Sequence, residues 1–145
     1  MAVTFNVYGS FMVNLMMGSV SSLVDSGTRV RCALMGEGHE FNKDHEYWSH
    51  VLGSEITDTD YTPLDLQNKS IVYDKEGNKV YFRSDSLNYG DEVSISARHM
   101  VVYVVGNTSE TSVLMFSIDF GELRSSVTGR FRINWNEEGV FSISI

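Results

Sequence analysis

The chain has 145 residues and a mass of 16.3 kDa, the size of one ordinary domain with a core large enough to need no covalent staple. Its 42% hydrophobic and 21% charged residues exclude a largely disordered chain. Acidic residues outnumber basic ones 19 to 11, and the net charge of -8 argues against sequence-independent nucleic-acid binding and against polybasic attachment to a membrane.

Composition sets no boundary along the chain, so residues 1–145 are expected to form a single domain. Residues 2–8 are of β type and predict a short strand or an arm. Ser10 is placed to cap a helix over residues 11–17 that Gly18 ends. In that helix only Asn14 is polar, and one core covers only one stripe of such a surface. Either the core or a neighbouring protein takes the rest. Phe11, Met12, Met16 and Met17 are therefore the candidate interface residues, methionine being suited to irregular partners.

Residues 28–35 predict a strand after the turn Asp25-Ser26-Gly27. Cys32, the single cysteine, lies in it, which excludes an internal disulfide and favours a buried thiol over a nucleophile. Residues 44–52 predict a short helix with Asp44 as its cap and Gly53 as its terminator, burying Tyr47, Trp48 and Val51. Strands are predicted at residues 70–73 and 78–82, joined as a hairpin by Asp74-Lys75-Glu76-Gly77. A long strand over residues 92–105 alternates first and is then continuously apolar, as in a strand that becomes covered on both faces. Residues 112–120 form another. A last hairpin joins residues 129–135 to 140–145 across Asn136-Glu137-Glu138-Gly139. Phe116, Ile118, Phe131, Ile133, Phe141 and Ile143 are the predicted core. Seven to eight strands with one or two short helices in the N-terminal third define a mainly β fold, an antiparallel sandwich or barrel.

No motif for nucleophilic catalysis, phosphate binding or dinucleotide binding is present. His39, His45 and His50 fall near Glu40, Asp44 and Glu46, a composition seen in metal sites. On a helix, however, His45 and His50 diverge, and a solvated histidine-rich loop is the preferred reading. Asp58, Asp60 and Asp65 lie among threonines but lack the glycine and distal glutamate of a calcium loop. Self-bonded turns explain them better. No catalytic residue, cofactor or metal is expected. An alternative use for the chain is sugar binding on exposed aromatics such as Tyr47, Trp48, Tyr61 and Tyr89. No apolar stretch reaches the ~20 residues of a membrane span, and no signal-peptide pattern opens the sequence, so folding in a reducing cytoplasm is expected.

The order of segments carries a resemblance. Tyr8-Gly9-Ser10-Phe11 precedes the helix. Asp44-His45-Glu46-Tyr47-Trp48-Ser49-His50-Val51 follows the first long strand, and Glu55 and Tyr61-Thr62 come next. Ile95-Ser96-Ala97-Arg98 leads into Val101-Val102-Tyr103, then Ile118-Asp119-Phe120-Gly121. Gly129-Arg130-Phe131 and Ile133-Asn134-Trp135-Asn136 close the series. Over nearly the whole chain this resembles a family of small virion structural proteins of tailed bacteriophages. Pro63-Leu64 stands where that family has a glycine pair, and Gly36-Glu37-Gly38-His39 where it often has a proline turn. The resemblance implies a non-enzymatic virion protein, first a capsid decoration or cement protein that binds the major capsid protein, next a neck or tail component or a host-binding module. It implies virion localisation, assembly in the host bacterial cytoplasm, and a homo-oligomer, a trimer before a dimer.

Overall fold

A computed structural model describes residues 2–137 and 139–145. Its frame is a hairpin of two long strands, β6 (Leu87–Val104) and β7 (Val113–Ile133). Three shorter strands join them: β1 (Thr4–Val7), β2 (Val30–Met35) and β3 (Leu64–Asp65). Together they form an antiparallel five-stranded sheet in the order β1-β7-β6-β2-β3. A second antiparallel sheet, β4-β5-β8, is built from Ser70–Asp74, Lys79–Arg83 and Phe141–Ser144. The fold is thus mainly β, with one α-helix, α1 (Gly9–Met17), near the N-terminus.

The continuous apolar run of β6 is explained by cover on both sides. Met100 and Val102 face one core with Cys32, Leu34, Phe116 and Phe82. Val101 and Tyr103 face the other with Tyr8, Ala33, Met35 and Trp48. The second sheet closes the first of these cores. Phe82 and Phe141 come from one face of it, and the Phe141 ring lies 6.0 Å from Phe116 and 6.2 Å from Phe11.

The long hairpin is not straight. Ala97 pairs with Arg124 but His99 with Asp119, so β7 carries surplus residues opposite Arg98. Gly121 within that bulge has φ +84°, and its amide donates to Asp119 Oδ1 at 2.8 Å. Such insertions bend a strand and sharpen its twist.

Several local expectations are corrected. No α-helix forms over residues 44–52; two 3-10 turns, Trp48–His50 and Leu52–Ser54, stand there. Trp48 N–H donates to Ser112 O at 2.9 Å, and Leu114 N–H to Glu46 O at 3.0 Å. Those bonds to the start of β7 draw the segment open, though Trp48 and Val51 are buried as expected. α1 begins at Gly9, and Ser10 donates instead to the His45 carbonyl. Gly18 caps its end with φ +69°.

The expected last hairpin also separates. β7 remains paired with β6 as far as Ile133, whereas β8 crosses to β5. The bridge Asn136–Gly139 joins the two arms at the turn, and Glu138 of that turn lies outside the described residues. Phe116, Ile118 and Phe131 are buried, while Ile133 and Phe141 are partly so. Ile143 is 48% exposed, because it shares a row with Val80 and Tyr73 at the end of the small sheet that overruns the core.

Gly139 makes the crossing possible. It has φ +76°, and a Cβ there would sit 2.5 Å from Phe82 O, the atom that accepts the Val140 amide. Gly139→Ala is expected to cost roughly 1–3 kcal/mol in denaturant unfolding. An unchanged midpoint would show that the crossing has room to move.

Candidate contact surface

The four candidate interface residues part company. Phe11 is buried beneath the sheet, so it belongs to the core and is not available for contact. Met12, Met16 and Met17 remain on the surface, 43%, 85% and 73% exposed, with Val13 beside them. α1 lies over β7, and Phe11 and Leu15 supply the stripe turned to the core. The remaining faces keep their methionines outward.

The sequence segment that carries them is uncharged, while Lys43, Asp44 and Glu46 border Val13 and Asn14 in space. No Asp, Glu, Lys or Arg precedes Asp25, although the whole chain carries net charge -8. β1 adds Phe5 and Val7 to the exposed apolar side chains of this region, and Val3 adjoins them. An open groove of about 510 Å³ runs beside Phe5, lined also by Ile118, Phe120, Trp135 and Val140, with Arg132 and two asparagines at its wall. The sequence reading of residues 2–8 as a strand or arm left this edge without a role. The missing charge was the signal that marked it.

His50 and His39 have structural partners, whereas the buried Nδ1 of His45 has no hydrogen-bond partner among the described residues. His50 Nδ1 accepts the amides of Glu46 and Tyr47 at 3.2 and 3.3 Å, closing the first 3-10 turn. His39 is buried on the opposite face of the large sheet, its Nε2 3.3 Å from Ser117 Oγ and its ring 5.1 Å from that of His99. Burial, helped by the positive potential of His99 and His45, lowers the His39 pKa to about 4, with Asp119 pulling weakly the other way. Tyr8 is buried in the same region, and burial pushes its pKa up to about 12 against a lowering influence from Ser117. Residues so far apart in sequence gave no pattern that announces this cluster. Among the described residues no three His, Cys, Asp or Glu side chains converge as metal ligands.

Asp58, Asp60 and Asp65 are also accounted for. Asp58 and Asp60 each accept a β6 amide at 2.8 Å, from Ser96 and Ser94 respectively, so the loop occupies the free edge of that strand. Asp65 instead pairs with Arg31 at 2.8 Å and Arg29 at 3.0 Å. They form no common cage. The aromatic platform also dissolves: Trp48 stacks inside on Tyr103 at 4.4 Å, and buried Tyr89 donates to Cys32 O at 2.8 Å. Tyr61 turns its hydroxyl to Glu55 at 2.6 Å. Cys32 is fully buried, and burial raises its thiol pKa, as expected for an inert cysteine.

No protein-family model, curated protein or solved structure matches the chain.

Proposed function

We propose that the chain is a non-enzymatic structural protein of a tailed-phage virion, a decoration protein that binds the major capsid protein and stabilises the shell. The observation that carries this reading is the exposed methionine face of α1, set in a stretch without charged side chains on an otherwise acidic protein. Exposed apolar side chains gathered on one short helix suit a protein contact, and methionine adapts to the partner it meets. The order of residue segments described above supports the choice of a phage particle. Repetition on a lattice lets a modest contact hold, because each particle offers many equivalent sites.

The test is to mix purified protein with heads that lack it and measure occupancy. Saturation at a fixed number of copies per capsomer is expected, with little loss at high salt, since an apolar contact is not screened. Met12→Glu together with Met16→Glu should lower the affinity about tenfold or more, because charge is carried into an apolar contact. A folded double variant with unchanged occupancy would remove α1 from the contact.

A further inference from the structure

β1 is an end strand of the large sheet. Its inner side pairs with β7 from Thr4–Asp119 to Val7–Phe116, and the next amide, Tyr8 N–H, donates to Met115 O at 3.1 Å. Backbone groups alternate sides along an antiparallel strand. Thr4, Asn6 and Tyr8 therefore address β7, while Phe5 and Val7 turn N–H and C=O outward, and Val3 continues their row. Among the described residues no hydrogen bond meets those outward groups. The free edge of β6 is treated differently, since Asp58 and Asp60 occupy it. An unblunted edge without charge is a template for a further strand.

We propose that β1 pairs antiparallel with β1 of a second copy, across a two-fold axis at Phe5, joining two five-stranded sheets into one. The sequence Val3-Thr4-Phe5-Asn6-Val7 selects this occupant, because its apolar and polar positions are symmetric about Phe5. In that register Val3 of one copy faces Val7 of the other, Phe5 faces Phe5, and Thr4 faces Asn6. Every outward amide and carbonyl of the row gains a partner, and the like-with-like pairs lie on matching faces. Electrostatics agrees: two copies of net charge -8 repel, and β1 lies within the stretch where neither carries a charged side chain. The arrangement is isologous and closes as a dimer. It differs from the trimer that the family resemblance implied, and it stands or falls independently of the virion reading.

The full chain should show a mass approaching twice 16.3 kDa as its concentration is raised in sedimentation or light scattering. Over the same range, hydrogen exchange at the Phe5 and Val7 amides should slow. Val3 and Val7 are 60% and 39% exposed, so substitutions there leave the core intact. Val3→Lys with Val7→Lys places lysine opposite lysine twice and should raise the dimer dissociation constant about tenfold or more. Val3→Lys with Val7→Glu places lysine opposite glutamate and should keep dissociation within about threefold of the unaltered chain. A monomer at every concentration overturns the proposal. So does a dimer indifferent to the lysine pair, or one weakened equally by both pairs. If either double variant fails to fold, exchange in the unaltered protein decides: amides at Phe5 and Val7 that stay fast in the dimer refute the pairing.

Discussion

Phe116→Ala is expected to lower the free energy of unfolding by roughly 3–5 kcal/mol. Phe116 is fully buried and joins three parts of the fold. Its ring lies 4.5 Å from Phe5 on β1 and 6.0 Å from Phe141 on the small sheet, and its backbone pairs with Val7 and Val102. Truncation removes apolar contact and leaves a cavity that two sheets and the helix cannot collapse into together. For a chain of this length the melting temperature should fall on the order of 10 °C. A loss under about 1 kcal/mol would mean that the two sheets do not meet on this side chain.

Mild acid should destabilise the protein through His39. An unperturbed histidine titrates near 6.5, whereas His39 in the folded chain has its pKa lowered to about 4. The unfolded chain therefore binds the proton first, and stability is complete above pH 6.5 and is lost as pH falls toward 4. The size of the effect is about 3 kcal/mol at most. His99, also lowered by burial, acts in the same direction. Glu55 opposes it, because burial raises its carboxyl and the folded state takes up that proton first. Asp65 and Asp119 are held below the carboxylate range, Asp65 by Arg31 and Arg29 despite its burial, Asp119 by the Gly121 amide and Arg98. Their contributions disappear at lower pH than the histidine window. Denaturant titrations of the unaltered chain and His39→Gln at pH 7.5, 6 and 4.5 isolate the histidine. The variant should show the shallower decline, and identical slopes would place the acid sensitivity elsewhere.

Patterns that are local in the chain were legible in the sequence, and their partners were not. Alternation and β-rich runs located most of the strands. β3 was not foreseen, and residues 112–120 and 129–135, expected as two strands, form the single strand β7 because both stretches pair along β6. The long apolar run of β6 did announce cover on two faces. The same alternation could not say that β8 pairs with β5, because Phe141 and Ile143 look alike in sequence and differ only in what lies above them. The helix expected after Asp44 failed for a related reason. Its cap and terminator are adequate signals, but the amides of Trp48 and Leu114 exchange bonds with the opposite segment, and that pairing outweighs the local preference. At the contact surface the breadth of the apolar helix face was readable. The assignment of Phe11 inward and of Met12, Met16 and Met17 outward depended on where β7 and Phe141 sit.

Under the proposed function the protein is a unit of contact on a phage particle, and microscopy of the particle tests that proposal most directly. If the proposed function holds, a reconstruction of phage virions assembled with the chain should contain a β-rich density of 16.3 kDa per copy at repeated positions on the capsid, with the Met12 and Met16 face of α1 turned to the shell. Purified virions that lack the chain, or that hold it with this face open to solvent, would contradict the account.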